Sequence, residues 1–328
     1  MIESFDISVI IQGPIYNDMT DNTVTNIRQF FPDAEIIVST WEGSNYQHQL
    51  ADVIIESKDP GGYPVWDNPK ILNACNRQIV STLAGLKKAT RKYALKIRSD
   101  MYFDNINFLN YWDRFPQRCT EYKITKERIL MSTRFAPNPH REAKPYHPSD
   151  WFFFGLREDL IDVFNSPLCP EPQTSRYFET HKRPIVKYEN WVPALCQYSA
   201  EQYIWVAFLR RHIRLEFEHS VDIEHGNLEK SEHIFANNTV LLDAIDIGYN
   251  SYKHNNIHTH YEMFSMYSHF EWLKLYKKYC DKNYKLPLYD KEKVKRLYWS
   301  IRLRHSKKKI LYNLKSLLGL SFRNTIIK

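Results

Sequence analysis

One stretch, KYALKIRSDMYFD at residues 92–104, predicts a strand from Tyr93 to Arg98 that passes into an acidic loop. In an open α/β sheet, ligands bind in the crevice beyond the carboxyl ends of the strands. A carboxylate at such a strand end can hold a divalent ion that bridges a nucleotide diphosphate. Asp100 is therefore the first candidate site residue, although an aspartate at this place can equally cap its own turn.

Earlier in the chain, three more strands alternate with two helices. Ile7 to Ile11 is β-branched and apolar, and Gln12, Gly13 and Pro14 then end the strand. The other elements predicted here are helices at Thr20 to Phe31 and Asn68 to Lys88, and strands within AEIIVSTWEG (34–43) and at Ala51 to Glu56. Strands that alternate with helices indicate a mostly parallel sheet. We therefore predict an α/β fold with a Rossmann-type, mostly parallel sheet flanked by helices and an α-rich C-terminal extension.

The ends of these strands supply the candidate residues for binding a ligand that carries a nucleotide diphosphate, called the donor below. Arg77, on the helix before the fourth strand, can reach a phosphate or a nucleobase from the crevice side, or be a solvated helix residue. Glu42 can accept hydrogen bonds from a ribose or a base, or be an exposed turn residue. No G-x-G-x-x-G follows the first strand, so a dinucleotide-binding fold is the weaker interpretation. The predicted donor-binding residues are Gln12, Gly13, Pro14, Glu42, Arg77, Arg98, Ser99 and Asp100.

Two carboxylates in the second half of the chain stand beside large apolar runs. Asp150 precedes a predicted strand at Trp151 to Phe154, and Glu201 opens a predicted helix from Ala200 to Arg211; another helix is predicted from Tyr267 to Tyr279. Partial burial raises the pKa of a carboxylate and suits a general base that deprotonates an acceptor hydroxyl. Both residues also have ordinary structural roles, Asp150 in a turn and Glu201 at a helix N-terminus. We predict both as catalytic candidates and prefer Glu201.

Two of the thirteen histidines, His258 and His260, would share one face of a strand in the sequence HTH. Either could complete a metal site with Asp100. Two histidines at this spacing without a nearby third ligand are more often surface or packing residues. The predicted metal ligands are Asp100, His258 and His260, with Mn²⁺ or Mg²⁺ as the cation.

The composition favours a globular protein of a reducing compartment. Of the 328 residues, 43% are hydrophobic and 25% are charged, which is ordinary for a folded domain. The five cysteines lack the paired spacing of disulfide frameworks and zinc ribbons. The first residues do not have the pattern of a signal peptide, and no apolar stretch approaches the roughly 20 residues of a spanning helix. We therefore expect a soluble or peripheral protein.

The basic charge of the chain is concentrated at its C-terminal end. Residues 291–328 contain twelve Lys and Arg and one acid, a local charge of +11, so the formal net charge of +7 leaves −4 for residues 1–290. A mildly acidic body argues against a nucleic-acid groove. Leucines and lysines at helical spacing in the tail predict a helix on an anionic surface, the cytoplasmic face of the inner membrane. The alternatives are a tail docked on its own domain or bound to RNA.

Seven blocks of sequence follow one another in a specific order between residues 7 and 205. They are ISVIIQGPI (7–15), FPDAEIIVSTWEG (31–43), KDPGG (58–62), NRQIVSTLAGLKKA (76–89), KYALKIRSD (92–100), SDWFFFG (149–155) and AEQYIW (200–205). With these blocks the chain resembles the WavE-type lipopolysaccharide-synthesis family of bacterial glycosyltransferases. The resemblance implies a GT-A fold, a nucleotide-sugar donor, and a glycan or glycolipid acceptor in lipopolysaccharide core, O-antigen or capsule assembly.

By similarity to GT-A enzymes in general, the end of the first strand and Glu42 would face the nucleoside, Arg77 the diphosphate, and the acid after the fourth strand the metal. The usual D-x-D motif is here Ser99, Asp100 and Met101. One acid of the pair is therefore absent, which puts a metal requirement in question.

The leading hypothesis is sugar transfer, with inversion at the anomeric carbon if Glu201 is the base. On this hypothesis residues 1–104 form the donor-binding half and 105–290 the acceptor-binding and catalytic half of one GT-A domain, followed by the basic tail at 291–328. A sugar nucleotidyltransferase is a second hypothesis, although QGPIYND (12–18) lacks the basic residues that such enzymes usually carry in this loop. The non-enzymatic alternative is a carbohydrate- or RNA-binding protein; the main domain is not expected to bind nucleic acid.

Overall fold

The largest feature of the structure is a sheet of seven strands. It is seen in a computed structural model that describes residues 2–66, 68–184, 195–254, 265–288 and Trp299. The strands in these ranges are β1 Ile7–Gln12, β2 Glu35–Trp41, β3 Val53–Ser57, β4 Tyr63–Val65, β5 Asn68–Asn73, β6 Tyr93–Arg98, β7 Met101–Phe103, β8 Ile129–Ser132, β9 Phe152–Leu156, β10 Thr239–Leu242 and β11 Tyr249–Ser251. The α-helices are α1 Asp18–Phe30, α2 Cys75–Lys88, α3 Pro139–Glu142, α4 Arg157–Phe164, α5 Tyr177–Thr180, α6 Ala200–His212, α7 Asn227–Asn238, α8 Ala244–Ile247 and α9 His269–Tyr279.

The sheet has the strand order β10-β8-β9-β6-β1-β2-β3. Its strands run parallel except β9, which is antiparallel to both of its neighbours. The predicted α/β class with a mostly parallel sheet flanked by helices is therefore confirmed. Two small antiparallel pairs, β4 with β5 and β7 with β11, lie outside the main sheet.

The chain divides into two compact units, Met1–Tyr284 and Lys285–Lys328. The first unit contains the whole sheet, which runs through both of the halves predicted from the sequence. The assignment of donor binding to residues 1–104 and of catalysis to residues 105–290 remains a prediction. No helix within the described ranges combines the length and the apolar character needed to cross a bilayer.

The strand β1 is buried along its whole length, as the inner strands of mostly parallel sheets are. On one side, α2 approaches so closely that a Cβ added to Gly85 would lie 2.5 Å from Cγ2 of Ile10. Only a residue without a side chain fits at this contact. Gly85 therefore fixes how near the helix lies to the strand.

The strand order reverses between β1 and β6, which makes this pair the switch point of the sheet. The two strand ends are joined directly: the amide of Ser99 donates to the carbonyl of Gln12 at 3.1 Å, and its hydroxyl donates to the carbonyl of Pro14 at 2.7 Å. Gly13, between Gln12 and Pro14 in the chain, has φ +129°, and a Cβ on it would lie 3.1 Å from the Ser99 hydroxyl. The four residues form a closed corner at the place where such sheets bind ligands.

The predicted helix from Asn68 to Lys88 is wrong in its first part. Residues 68–73 form β5, which pairs with β4 in a hairpin, and the helix begins only at Cys75, whose amide donates to the side chain of Asn73 at 3.0 Å. Ile71 and Leu72, which a helix from Asn68 would place on the same side as Cys75 and Ile79, are 40% and 50% exposed. A proline follows Asn68, and the residue before a proline is biased towards extended backbone.

The second half contains the expected helices within a residue or two, as α6 and α9. The strand predicted at Trp151 to Phe154 is found one residue later, as β9. A further strand, β10, lies parallel to β8 at the edge of the sheet.

Candidate active site

The end of β6 carries an ion pair between Arg98 and Asp100. The guanidinium donates from Nε to Oδ1 at 2.9 Å and from Nη2 to Oδ2 at 3.1 Å. Asp100 is fully buried, and its Oδ2 also accepts from the hydroxyl of Ser251 at 3.4 Å. Its backbone carbonyl accepts from the amide of Tyr252 at 2.9 Å. The carboxylate therefore fixes Arg98 and the end of β11 at the switch point.

Asp100 does not fit the metal-ligand role predicted for it. Both carboxylate oxygens accept hydrogen bonds from Arg98, so a cation would have to displace a guanidinium or share its oxygen. The described part of the chain contains no group of three His, Cys, Asp or Glu side chains arranged to hold a metal ion. The other two predicted ligands, His258 and His260, lie outside the described residues.

Trp151, directly before β9, is surrounded by cationic side chains. The guanidinium carbons of Arg98 and Arg134 lie 4.6 and 4.2 Å from the centre of its ring system. The His254 ring lies 5.4 Å away, and burial, followed by the charge of Arg98, lowers the pKa of that histidine. Both arginines are at cation–π distance, so the indole holds two positive charges close together.

Lys253 extends this group towards the first strand. Its Nζ lies 3.4 Å from the hydroxyl of Tyr16 and 5.0 Å from the centre of the Tyr16 ring, two residues beyond Pro14. We refer to Arg98, Arg134 and Lys253 as the cationic cluster. The cluster borders the β1–β6 switch point.

The two predicted catalytic carboxylates, Asp150 and Glu201, lie close together. The side-chain amide of Gln78, on α2, donates to Oδ2 of Asp150 and to Oε1 of Glu201, at 3.2 Å in each case. Since an amide NH₂ has two hydrogens, one group can serve both acceptors. The loop before β9 and the first turn of α6 are thus joined through α2.

The carboxyl of Asp150 has a raised pKa. Burial is the largest cause and the charge of Glu201 the next, while the positive charges of Lys96 and Arg98 act in the opposite direction. Lys96 is fully buried on β6 and donates to the backbone carbonyl of Asp150. Burial lowers the pKa of its amine to about 8. The acid and the amine therefore both titrate closer to neutrality than such groups do in water.

His147 completes the group on the side of α6. Its Nε2 lies 4.0 Å from Oε2 of Glu201, and its Nδ1 lies 2.9 Å from the carbonyl of Pro148. Burial lowers its pKa to about 4, so the ring is neutral at pH 7. Because a carbonyl can only accept, we assign the proton to Nδ1, which leaves the Nε2 lone pair directed towards the cleft side.

A cleft of about 290 Å³ opens beside these residues. Its polar wall includes Gln78, Lys144, His147 and Glu201, and its apolar wall includes Leu72 of the β4–β5 hairpin. A second, much smaller pocket of about 10 Å³ is lined by Asp150 and again by Glu201. Glu201 therefore reaches the open cleft, whereas Asp150 lines the small pocket behind it.

Two predicted donor-binding residues, Arg77 and Glu42, make hydrogen bonds with other parts of the chain. Arg77 forms a two-point ion pair with Asp59, at 2.7 Å from Nε and 2.6 Å from Nη2, and both side chains are 36% exposed. Glu42 is exposed in the turn after β2, where its amide donates to the carbonyl of Ser57 at 2.9 Å. Their roles in donor binding remain predictions.

Comparison with protein families gives one match that covers most of the chain. The model of the WavE family, described as lipopolysaccharide synthesis, matches residues 7–310. The chain belongs to the WavE family. The resemblance inferred from the seven sequence blocks is thereby confirmed, and no curated protein matches the chain.

Solved structures similar to this WavE-family chain include two glycosyltransferases. The mannosyltransferase PcManGT from Pyrobaculum calidifontis, in complex with GDP-Man and Mn²⁺, shares 12% identity over 47% of this chain and 45% of its own, with a TM-score of 0.30. The Drosophila β-1,4-galactosyltransferase 7, in complex with manganese, UDP-Gal and xylobiose, shares 11% over 48% and 51%, with a TM-score of 0.26. The chain thus spans about half the length of each enzyme, and likeness at this level does not by itself assign an activity.

Several residues of the site in this WavE-family chain were not predicted from the sequence. Lys96 had a usable signal, because a lysine inside the apolar run YALKIR of a buried strand needs a polar partner. Gln78 follows Arg77 on α2, and it is the glutamine, not the predicted arginine, that reaches the carboxylates. Arg134 and Lys253 had no signal, since the sheet topology brings them to Trp151 from distant parts of the chain.

Proposed function

We propose that this WavE-family chain is a glycosyltransferase of the GT-A type. It moves a sugar from a nucleotide-sugar donor to a hydroxyl of a glycan or glycolipid acceptor in lipopolysaccharide core, O-antigen or capsule assembly. The observation that carries the proposal is the adjacency of two groups in the chain. Asp150 belongs to the carboxylate pair, and the ring of the next residue, Trp151, packs against Arg98 and Arg134 of the cationic cluster.

The donor binds at the β1–β6 switch point. Gln12, Gly13 and Pro14 form one wall and Ser99 the other, and the carbonyls of Gln12 and Pro14 are already bonded to Ser99. A nucleoside diphosphate sugar carries two negative phosphates, which are attracted by basic side chains in an otherwise acidic body. This arrangement supports a diphosphate lying beside Arg98 and Lys253.

The acceptor enters through the 290 Å³ cleft and meets Glu201. Glu201 takes the proton of the acceptor hydroxyl, whose oxygen attacks the anomeric carbon as the bond to the diphosphate breaks, so the product has the inverted configuration. The amide oxygen of Gln78 is buried and has no hydrogen-bond partner among the described residues. A sugar hydroxyl in the cleft would supply that missing donor.

The basic tail supports a peripheral location at the cytoplasmic face of the inner membrane, where a glycolipid acceptor would be presented. Its charge of +11 lies within residues 291–328. Anionic lipid attracts such segments with about 1 kcal/mol per basic residue near the surface. This part of the proposal rests on the sequence alone.

The experiment begins with a thermal-shift screen of UDP-, GDP-, CMP- and dTDP-sugars, followed by transfer assays with the donor that binds. We expect Glu201→Gln to keep donor binding and to lower kcat by about 100-fold or more, because the general base is lost. Glu224→Gln, a change of the same type at an exposed turn residue, is the matched control.

Two outcomes would contradict parts of the proposal. A product with retained anomeric configuration would exclude Glu201 as a base for direct attack. Release of pyrophosphate from a nucleoside triphosphate, without transfer from any nucleotide sugar, would indicate a sugar nucleotidyltransferase instead.

A further inference from the structure

We propose that the donor diphosphate is held and neutralised by the cationic cluster, with Arg98 in the place that a divalent cation would take. The inference rests on the proposed glycosyl transfer and deepens it by naming the groups that stabilise the leaving diphosphate. It begins from the disagreement between the predicted metal site and the contacts of Asp100.

Both carboxylate oxygens of Asp100 are hydrogen-bonded to Arg98. Its two oxygens accept from Nε and Nη2 of one guanidinium, and a hydroxyl from Ser251 adds a third contact. The carboxylate is fully buried, whereas the Arg98 side chain keeps 24% of its surface exposed. The exposed member of the pair at the strand end is therefore the cation.

Arg98 is held in an orientation suited to an anion. Its bonds to Asp100 use Nε and Nη2, so Nη1 is the nitrogen that can meet a phosphate oxygen. Trp151 packs at 4.6 Å from the guanidinium carbon and limits the movement of the side chain. A fixed guanidinium loses little entropy when it binds a phosphate, which favours arginine over a mobile lysine at this position.

The other members of the cluster add charge on the same side. Arg134 lies against the same indole at 4.2 Å, and Lys253 lies beside Tyr16 of the first-strand loop. Arg98 and these two side chains gather basic groups at this corner, while residues 1–290 as a whole carry −4. Such a local concentration of basic groups attracts an anion to this corner rather than to the surrounding surface.

The positive charge of the cluster would stabilise the leaving diphosphate when the bond between the sugar and the diphosphate breaks. The electron pair of the bond between the anomeric carbon and the phosphate oxygen goes to the oxygen, and the diphosphate leaves with one more negative charge. The acceptor oxygen forms the new bond, and its proton goes to Glu201. Fixed cations aimed at the oxygen where charge develops stabilise that transition state.

The first test measures binding of UDP, GDP, CDP and dTDP to the full chain by calorimetry, in buffer with EDTA and in buffer with Mn²⁺ or Mg²⁺. We expect the best of these diphosphates to bind in EDTA with a Kd within about threefold of that in either metal buffer. Binding that is lost in EDTA and restored by Mn²⁺ would overturn the inference. The same result would leave the proposed transferase intact.

The second test uses variants of the cluster. Lys253→Met changes an exposed residue, and we expect it to weaken diphosphate binding by about tenfold, since one charge-assisted contact is lost. Arg98→Lys keeps the charge but loses the planar fork, and we expect a loss of about tenfold or more with no rescue by Mn²⁺. Lys282→Met, an exposed lysine beyond α9, is the control.

Circular dichroism melting identifies any variant that fails to fold. If Arg98→Lys fails to fold, the binding result of Lys253→Met decides whether the inference holds, because a change at an exposed side chain should leave the fold intact. If both folded variants bind the diphosphates as tightly as the wild type, the inference is wrong. If no nucleotide or nucleotide sugar binds or reacts in any buffer, both the inference and the proposed function are wrong.

Discussion

Gln78 places one neutral amide between two acids and holds the carboxylate pair together through two hydrogen bonds. Asp150 and Glu201 come from a loop and from α6, and both accept from the same Nε2 atom at 3.2 Å. The amide therefore satisfies one oxygen of each carboxyl group and holds the two side chains near each other.

Replacement of Gln78 by leucine tests this role. Loss of the donor should raise the pKa of the Asp150 carboxyl further, because its charged form loses a hydrogen bond, and the acidic limb of the kcat profile should move to higher pH. The fold should lose about 1–3 kcal/mol, because buried acceptors are left unsatisfied. Lys87→Met, an exposed change on the same helix, is the control, and an unchanged pH profile in Gln78→Leu would exclude the assigned role.

His147 makes a prediction about stability in acid. Its folded pKa of about 4 lies below the ordinary 6.5, so between these values the unfolded chain binds more protons than the native one. The contribution of His147 to the free energy of unfolding is complete above pH 6.5. It is lost as the pH falls towards 4, at about 1.4 kcal/mol per pH unit.

His147→Gln should therefore show a smaller fall in the free energy of unfolding between pH 6.5 and 4 than the wild type does. Urea unfolding at several pH values gives the comparison. Parallel curves for the two proteins would show that the histidine is protonated in the native state.

At the scale of elements, β1 and β6 were predicted to within one residue because strands covered on both faces are continuous apolar runs. The β4–β5 hairpin was missed for a physical reason. Ile71 and Leu72 follow the helical spacing of Cys75 and Ile79, and local spacing carries no information about exposure. The hairpin, rather than a longer helix, supplies the apolar wall of the cleft.

The candidate site was predictable where it depends on single strand or helix ends. Asp150 and Glu201 could be named from their apolar surroundings, but their common partner Gln78 could not, because α2 meets them only after the sheet forms. Asp100 was named correctly as a strand-end acid. Its bond to Arg98 became visible only with side-chain positions.

The packing of α2 on β1 predicts that Gly85→Ala is destabilising. Glycine to alanine inside a helix normally gains about 1 kcal/mol. Here the added methyl would lie 2.5 Å from Ile10, and we expect a loss of about 1–3 kcal/mol from overpacking. The urea midpoint measures it, with the exposed Lys88→Ala as control; a midpoint equal to or above that of the wild type would contradict the contact.

At the scale of the whole molecule, the charge divides into an acidic body and a basic tail. A chain truncated after residue 290 should bind nucleotide sugars as the full chain does but should no longer sediment with vesicles containing phosphatidylglycerol. Vesicles of phosphatidylcholine alone provide the control for charge. Equal sedimentation of the truncated and full chains would contradict the membrane role, and a loss of RNA binding on truncation would favour the alternative function of the tail.

The complete burial of Lys96 has a practical consequence for following the opening of the site in solution. Acylating reagents attack unprotonated amines, and an amine with a pKa of about 8 is unprotonated more often than surface lysines are. In the closed protein its side chain has no exposed surface, so the reagent cannot reach it. The rate at which mass spectrometry detects labelling of the β6 peptide would therefore report how often the crevice opens, and a bound donor should slow it.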